Sequence, residues 1–349
     1  MSVPVFPLYR GLDAPERPNP SVMNMGLWFE RFFHDYEPGF GKVRKPEKPT
    51  DGSWLRNLTT NALGVHSELR VKAEKVQQLA ASQGGQARIY QCTAPFVTGM
   101  GNPHPLENGF TWHPTLGMPY LPGSAVKGLV RAAVELAYQG EDKPALLKRW
   151  FGTEAKGDVP EASGSFIFLD ALPVAPCALV PEVMTPHMGK WYEKGGKTPT
   201  AKDTQPGDWH SPVPVGYLTA RNLHLQFAVM PRPGMAAEAL ELVWQALDYA
   251  LQWLGAGGKT AQGFGTMQSQ AALLSQSEEK WEGARPKFNR ANGSLTVEKN
   301  GKAAIALTPK GEALLQTLPA DLQQKIKTNQ FVKLTAYVAE GVLVRVEKA

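Results

Sequence analysis

Residues 218–230 read LTARNLHLQFAVM, residues 235–254 read MAAEALELVWQALDYALQWL, and residues 255–274 run from GAGGKTAQGFG into TMQSQAALL. The first stretch alternates as a half-buried strand does, and the second places apolar residues at helical spacing. The third is a glycine-rich turn leading into a final strand from Thr266 to Leu274. The same grammar stands upstream. RIYQCTAPFVTG at 88–99 is rich in β-branched and aromatic residues and ends in a Gly, Asn and Pro cluster that opens a long loop, 99–120. Lys127 to Gln139 is helical by composition, and GSFIFLDALP at 164–173 is a short strand stopped by proline. The order β-α-β-β-α-β predicts an α+β fold of the ferredoxin-like arrangement, an antiparallel sheet with two helices on one face. Residues 174–215, rich in Pro, Gly, Lys and aromatics without a period, interrupt it as a long insertion.

Working outward, residues 1 to about 60 are Pro-rich and aromatic, with one helix-like apolar patch, NMGLWFERFFHD at 24–35, and predict a loosely wrapped arm. Leu63, His66, Leu69, Val76 and Leu79 predict an amphipathic helix over Asn61–Gln83, closed by Gly84 and Gly85 and packed on the main domain. Three regions follow: an arm with its helix at 1–87, the ferredoxin-like domain at 88–275, and a C-terminal appendage at 276–349. The appendage begins polar, then gives strand-like runs near 294–307 and 331–346 with helical segments between, which predicts a small α+β unit of unassigned fold. No repeat with a period of 20 to 50 residues is present.

Composition narrows the classes further. With 349 residues, 42% hydrophobic and 20% charged, the chain is neither wholly disordered, nor a collagen, nor a long coiled coil. Its 34 glycines and 29 prolines point to long ordered loops. Cys92 and Cys177 are too few for a disulfide framework or a four-thiolate zinc site, and neither lies in a C-x-x-C pair, which fits a reducing cytoplasm. The N-terminus has no apolar signal core and no later stretch approaches 18 uninterrupted apolar residues, so a cytoplasmic location is expected. The net charge of +5 permits a polyanionic partner. Divided at 87 and 275, the chain carries 11 basic and 9 acidic residues, then 14 and 15, then 12 and 8. The nearly neutral middle must hold any anion through a few placed groups and backbone amides.

The first motif is Leu121-Pro-Gly-Ser-Ala-Val-Lys-Gly-Leu-Val-Arg131. Ser124 stands where an N-cap would, but Lys127 occupies the place where a capping box puts Glu or Gln. A cation there opposes the helix dipole by about 0.3–1 kcal/mol, and Gly128 costs roughly 0.8–1 kcal/mol relative to Ala. Both choices suit a phosphate at the helix start, gripped by the amides after Gly123, the Ser124 hydroxyl and Lys127, with Gly128 allowing close approach and Arg131 extending the surface. A solvated lysine beside a tight turn is the competing account. The second motif, Gly255 to Gly265, is not a P-loop: Trp253 stands where the first glycine belongs, and the loop follows a helix. It offers either N–H groups of Gly257 and Gly258 with Lys259, Thr260 and Gln262 as polar contacts and Phe264 as a base platform, or a glycine-rich helix stop.

The third region interleaves Lys190, Trp191 and Tyr192 with Lys194 and Trp209, a pattern that stacks on unpaired bases or anchors a long loop to its own domain. His187 and His210 fall outside any metal-ligand spacing, no close acidic pair suggests a two-metal site, and Ser124 is not in G-x-S-x-G. A hydrolase is therefore weakly supported, and for each histidine a structural role is the commoner reading; no metal or cofactor site is assigned.

PYLPGSAVKGLVRAA, FLDALP, MTPHMGKWY, DWHSPVPVGYLTA and LGAGGKTAQGFGT, in that order over about 88–274, resemble the RAMP superfamily of CRISPR-associated proteins, and within it the family of sixth subunits of Cmr, or type III-B, effector complexes. The resemblance implies an RNA-recognition-type fold with an inserted thumb. It implies that Ser124, Lys127 and Arg131 hold guide-RNA phosphates while Lys259, Thr260, Gln262 and Phe264 contact the same strand, with Gly123, Gly128, Gly257 and Gly258 as further RNA-binding positions. The 186–212 insertion, with Lys190, Trp191 and Tyr192, would approach the guide–target duplex or the next subunit. The implied partners are the 3' part of the crRNA, the target RNA, and the other Cmr subunits: the repeating backbone RAMP subunit, the terminal RAMP subunit and the small helical subunit. Catalysis is not implied, and no membrane partner is. The alternative is a metal-independent CRISPR repeat-processing endoribonuclease of the same superfamily, with His187 or His210 as base. A protein-interaction module whose glycine loop merely packs is a second rival. Residues 276–349 lie outside the resemblance.

Overall fold

The computed structural model describes residues 19–20, 22–34, 36–37, 42–43, 53–155, 161–194, 205–207, 209–233, 237–269, 279–290, 292–308, 310–328, 330–339 and 342–348. It divides into two units, 1–268 and 269–349. In the first, the helices are α1 (Met25–Arg31), α2 (Ser53–Leu58), α3 (His66–Ser82), α4 (Gly123–Ala137), α5 (Lys143–Phe151), α6 (Gly189–Lys194) and α7 (Ala237–Tyr249). The strands are β1 (Thr60–Leu63), β2 (Gln86–Cys92), β3 (Gly152–Thr153), β4 (Ala162–Ser163), β5 (Phe166–Phe168), β6 (Leu172–Pro173), β7 (Cys177–Met184), β8 (Val215–Arg221), β9 (His224–Pro231) and β10 (Met267–Ser269).

The main sheet runs β10-β2-β9-β5, with the two-residue β6 also paired to β9. β9 is antiparallel to both β2 and β5, Ile89 standing opposite Gln226 and Ile167 opposite Met230. Alternation along β9 sends Leu225, Phe227 and Val229 into the main core, while Ala228 and Met230 pack with Ala80 in a separate cluster. α4 and α7 contact one another, and α7 buries Leu240, Val243, Trp244 and Leu247 at i, i+3, i+4 and i+7. α3 lies against β2 and β9 on the Ala228 side. Both sheet faces are thus covered, and an RNA-recognition-type stacking surface on the open sheet is closed off by α3. At its end α3 closes through Gly84 and Gly85, whose amides donate to Ala81 and Ala80 carbonyls.

Sequence and structure part at three places. The expected helix over Asn61–Gln83 is a strand followed by a helix, because Gly64 takes φ +99 and breaks the chain between β1 and α3. The expected single strand over 218–230 is two strands in two sheets, turned at Asn222 with φ +54. The insertion without a period contains β7, which pairs with β8 from Ala178–Arg221 to Met184–Val215 and with β1 on its other edge. Pro181 inside CALVPEVM masked that strand from composition. Residues 270–274 of the expected final strand lie outside the described residues.

In the second unit, β11 (Glu279–Asn289), β12 (Ser294–Lys299), β13 (Lys302–Ala306), β14 (Leu334–Ala339) and β15 (Val342–Lys348) close into a barrel in the order β11-β12-β13-β15-β14. All neighbours are antiparallel except β13 and β15. α8 (Lys310–Gln316) and α9 (Ala320–Lys327) join β13 to β14. The barrel has its own core, including Trp281, Leu295, Val297, Leu315, Ile326 and Leu343. β11 was hidden in the polar run because its outward positions are charged while Trp281, Ala284 and Pro286 turn inward. No helix among the described residues is long and apolar enough to cross a membrane.

Candidate nucleic-acid interface

α4 begins at Gly123, with Pro122 rather than Ser124 at the cap position and no side-chain cap from that residue. The expected Ser124 cap is corrected: the Gly123 amide donates to Asp170 Oδ1 at 2.7 Å, so a carboxylate from the loop before β6 satisfies the first turn. Ser124 is left exposed on the helix. Gly123 itself is required by packing, since a Cβ there would collide with the Phe168 carbonyl. Gly128 is different. It is exposed, and a Cβ on it would meet nothing within 4 Å, so no contact inside the protein demands glycine there.

The glycine loop follows a π-helical turn, Ala250–Leu254, that ends α7. Gly258 and Gly265 donate their amides to Val97 and Pro95 carbonyls at 2.7 and 2.8 Å, while Phe96 pairs with Ala220 of β8. The loop is thereby bound to the 95–97 segment, itself bound to β8. Gly255, Ala256, Gln262 and Gly263 also donate to carbonyls within this region. The expected offer of N–H groups is corrected at Gly258, and most of the amides from Gly255 to Gly265 named here are already satisfied by the fold, as a glycine-rich helix stop would have them. Gly257, with φ +87, brings its backbone against Val97 so closely that any Cβ would strike that carbonyl oxygen. Lys259 takes a left-handed φ of 57 and holds its ammonium 5.0 Å from the centre of the Tyr217 ring. Thr260 is half-buried and Gln262 exposed. Phe264 packs against the main core, which restricts it as a base platform.

Two grooves flank α4. One, of about 630 Å³, lies between the helix and the glycine loop, with Ala125, Leu129 and Ala132 facing Gly255, Gly257, Gly258 and Thr260. The other, of about 810 Å³, is lined by Lys127, Arg131, Lys148 and Arg232, with Glu154 and Glu161 as its acids. The helix thus brings its own motif and the glycine loop together, but sends Lys127 and Arg131 away from Lys259. At 3.6 residues per turn, Ser124 and Gly128 fall on the ridge between the two grooves. Arg131 is partly engaged by Glu135 at 2.9 Å, whereas the Lys127 ammonium has no ion pair or hydrogen bond among the described residues.

On the insertion, Lys190, Trp191 and Tyr192 lie on the six-residue α6, with Lys190 exposed, Trp191 half-buried and Tyr192 77% exposed. His187 is exposed, and His210 Nε2 lies 2.7 Å from the Gln205 carbonyl. No group of three or more His, Cys, Asp or Glu side chains is placed to hold a metal among the described residues. Burial pushes both the Cys92 and Cys177 thiols up to about 12.

Three contributors were missed from sequence. Lys148 and Arg232 reach the basic groove from α5 and the end of β9, segments with no motif. Trp253, on the π-helical turn beside the glycine loop, is 67% exposed. Its signal was present: it falls off the buried phase of Trp244, Leu247 and Leu251.

Residues 90–268 match the family model described as the RAMP superfamily. The chain belongs to the RAMP superfamily. It is 26% identical over 231 residues to CRISPR system Cmr subunit Cmr6 of Pyrococcus furiosus, a match covering 51% of this chain and 66% of that one. It is 34% identical over 86 residues to CRISPR system CMR subunit Cmr6 of Saccharolobus solfataricus, covering 24% and 27%. Both matches span less than two-thirds of the relatives' own lengths. A chain of the cryo-EM structure of the type III-B Cmr-beta complex bound to cognate target RNA is 19% identical, with a TM-score of 0.46 over 62% of this chain and 69% of that one.

Proposed function

We propose that this chain is the Cmr6-type subunit of a type III-B effector complex, a non-catalytic subunit that holds the 3' part of the guide RNA and caps the filament of backbone subunits beside the target RNA. The strand order, 4-1-3-2 when β2, β5, β9 and β10 are counted from one to four, supports a ferredoxin-like core. The carrying observation is Gly128: an exposed glycine that no internal contact requires, on the ridge between the groove of the glycine loop and the groove of Lys127 and Arg131. A ribose-phosphate strand crossing α4 over Ser124 and Gly128 touches both grooves, so the two motifs meet one strand rather than one phosphate. Trp253 and Lys259 then contact the strand on one side, Lys127 and Arg131 on the other. Binding through phosphates and 2'-hydroxyls leaves sequence to be read by base pairing with the target.

The test is co-expression with the other type III-B subunits, purification, and identification of the RNA that co-purifies. Short guide-length RNA, reduced by Lys127→Ala and Lys259→Ala together, is the expected result; unchanged retention in that double variant overturns the assignment. Cleavage of repeat RNA by the isolated chain in chelator, lost on His187→Ala or His210→Ala, would replace it with the endoribonuclease reading.

A further inference from the structure

The barrel at 279–348 carries no motif from the superfamily match, which ends at residue 268. Its five strands close in the order 1-2-3-5-4, strand 3 runs parallel to strand 5, and the helices fall between strands 3 and 4. Strand 1 is the longest and is irregular beside Gly283, with φ +69, where it passes from one partner to the other. This is the topology of the oligonucleotide-binding fold, whose outer face on strands 2 and 3 with the loop between strands 1 and 2 receives single strands. Topology alone does not assign a ligand; the side chains on the face do.

A groove of about 1280 Å³ crosses that face, from β11 and β12 to Ile305 of β13, and is bounded by the β11–β12 turn and the segment after α9. Register puts Arg285 opposite Glu298 and Lys287 opposite Thr296 on β11 and β12. Arg290 and Lys327 stand at one end, with the Arg290 guanidinium donating to the Lys327 carbonyl at 2.6 and 3.0 Å. Glu298 is the one acidic residue lining the groove among those described; it accepts from the Lys287 ammonium at 2.9 and 3.0 Å, so the groove keeps a net positive charge with Arg285, Arg290 and Lys327. Phe331, 68% exposed, lies beneath the Arg285 guanidinium at 4.7 Å from its ring centre. An aromatic face open to solvent and backed by a guanidinium is a stacking platform for a base, and the basic residues beside it suit a phosphate chain rather than an apolar partner. The contrast within the barrel supports this: Tyr337 and Arg345 also stack, but both are tied to Glu347. Charge distribution points the same way. Residues 269–349 hold 12 basic and 8 acidic residues, which is four of the chain's five net positive charges.

We propose that this barrel is a second, separate binding site for single-stranded RNA, with Phe331 stacking on a base and Arg285 and Lys287 contacting the adjoining phosphates. The site is independent of the α4 ridge, and the experiment keeps the two apart. Full-length chain already carrying Lys127→Ala and Lys259→Ala is titrated with a labelled uridylate oligomer of about 12 nucleotides, within the length such barrels occupy. Adding Phe331→Ala is expected to weaken binding about tenfold, whereas Phe331→Tyr, which keeps the ring, restores it. Arg285→Ala with Lys287→Ala lowers the salt slope by about 1.4. Ultraviolet crosslinks fall on residues 285–290 and 331. Affinities unchanged in the Phe331 and Arg285 variants, with crosslinks confined to residues 1–268, overturn the proposal. So does loss of a protein subunit from the assembled complex on Phe331→Ala while oligomer affinity holds, which would make the face a protein contact.

Discussion

The Asp170 carboxylate accepts the Gly123 amide at 2.7 Å, so the positive end of α4 is already met by an anion from the protein's own β5–β6 loop. Asp170 is thus a capping group, and on the proposed path a guide phosphate lies along the first two turns of the helix, not at its tip. Asp170→Ala is expected to cost about 1 kcal/mol, within the 0.5–2 range for lost caps, and to lower the melting temperature by a few degrees. Asp170→Asn, which keeps an oxygen acceptor, loses less. Guide retention should hold or rise in both, because a negative charge near the strand is removed. A fall in retention at unchanged melting temperature would instead place Asp170 in contact with RNA.

Two glycines separate folding from binding. Gly257→Ala forces a side chain at φ +87 into the Val97 carbonyl and should destabilise the chain by well over about 1 kcal/mol, seen as a lower melting temperature and proteolysis of the loop. Gly128→Ala meets no atom within 4 Å and should stabilise α4 by roughly 0.8–1 kcal/mol. On the proposed path it nonetheless weakens RNA binding, because the strand loses its close approach to the ridge. A more stable Gly128→Ala protein with full RNA affinity would show that the strand does not cross there.

The mixed α+β character and several single elements were legible where the local pattern is strong: alternation in β9, the i, i+3, i+4, i+7 stripe in α7, glycines at Gly84–Gly85 and Gly255–Gly265. What failed was tertiary. Ala220 and Gln226 stand in one apolar run, yet Asn222 turns them into different sheets, a choice made by partners that the run does not name. The two motifs were visible as anomalies of helix chemistry, but their division between two grooves depends on how α4 rotates as Val126, Val130 and Val134 seek the core. The barrel's closure was unreadable because its first strand, β11, alternates charged with small or aromatic residues, a weak strand signal without its closing neighbours.

Electrostatic attachment is measured by salt. With four or five phosphates held by the α4 ridge and glycine loop, the logarithm of guide affinity should fall with the logarithm of salt at a slope near −3, from about 0.7 per phosphate. Lys127→Ala and Lys259→Ala should each flatten that slope by about 0.7; Lys127→Ala leaves the melting temperature unchanged, whereas Lys259→Ala also loses the Tyr217 contact and lowers it slightly, by about 0.5–1 kcal/mol of stability. Slopes identical to the parent chain would remove both lysines from the interface.

His104 gives the fold a pH dependence of definite sign. Its Nε2 lies 3.1 Å from the Phe29 carbonyl, which only accepts, and its Nδ1 lies 3.1 Å from the Leu106 amide, which only donates. These partners fix the neutral ring with its proton on Nε2. The ring also stacks on Phe29 at 4.1 Å and so pins α1 to the main domain. Burial pushes its pKa down to about 4, opposed in part by the Phe29 carbonyl. Against about 6.5 in the unfolded chain, the unfolded state binds more protons between these values. The contribution is full above pH 6.5 and is lost as pH falls toward 4, amounting to about 2–3 kcal/mol over that window. Acidification protonates Nδ1 and breaks the Leu106 bond. His34, edge-on to Trp54 at 5.3 Å, belongs to the same aromatic cluster and stays in place in the comparison. Melting temperatures from pH 7.5 to 4.5 should therefore fall more steeply in the parent than in His104→Gln, which starts lower at pH 7.5 because stacking is lost. Equal slopes in the two proteins would take His104 out of the acid response.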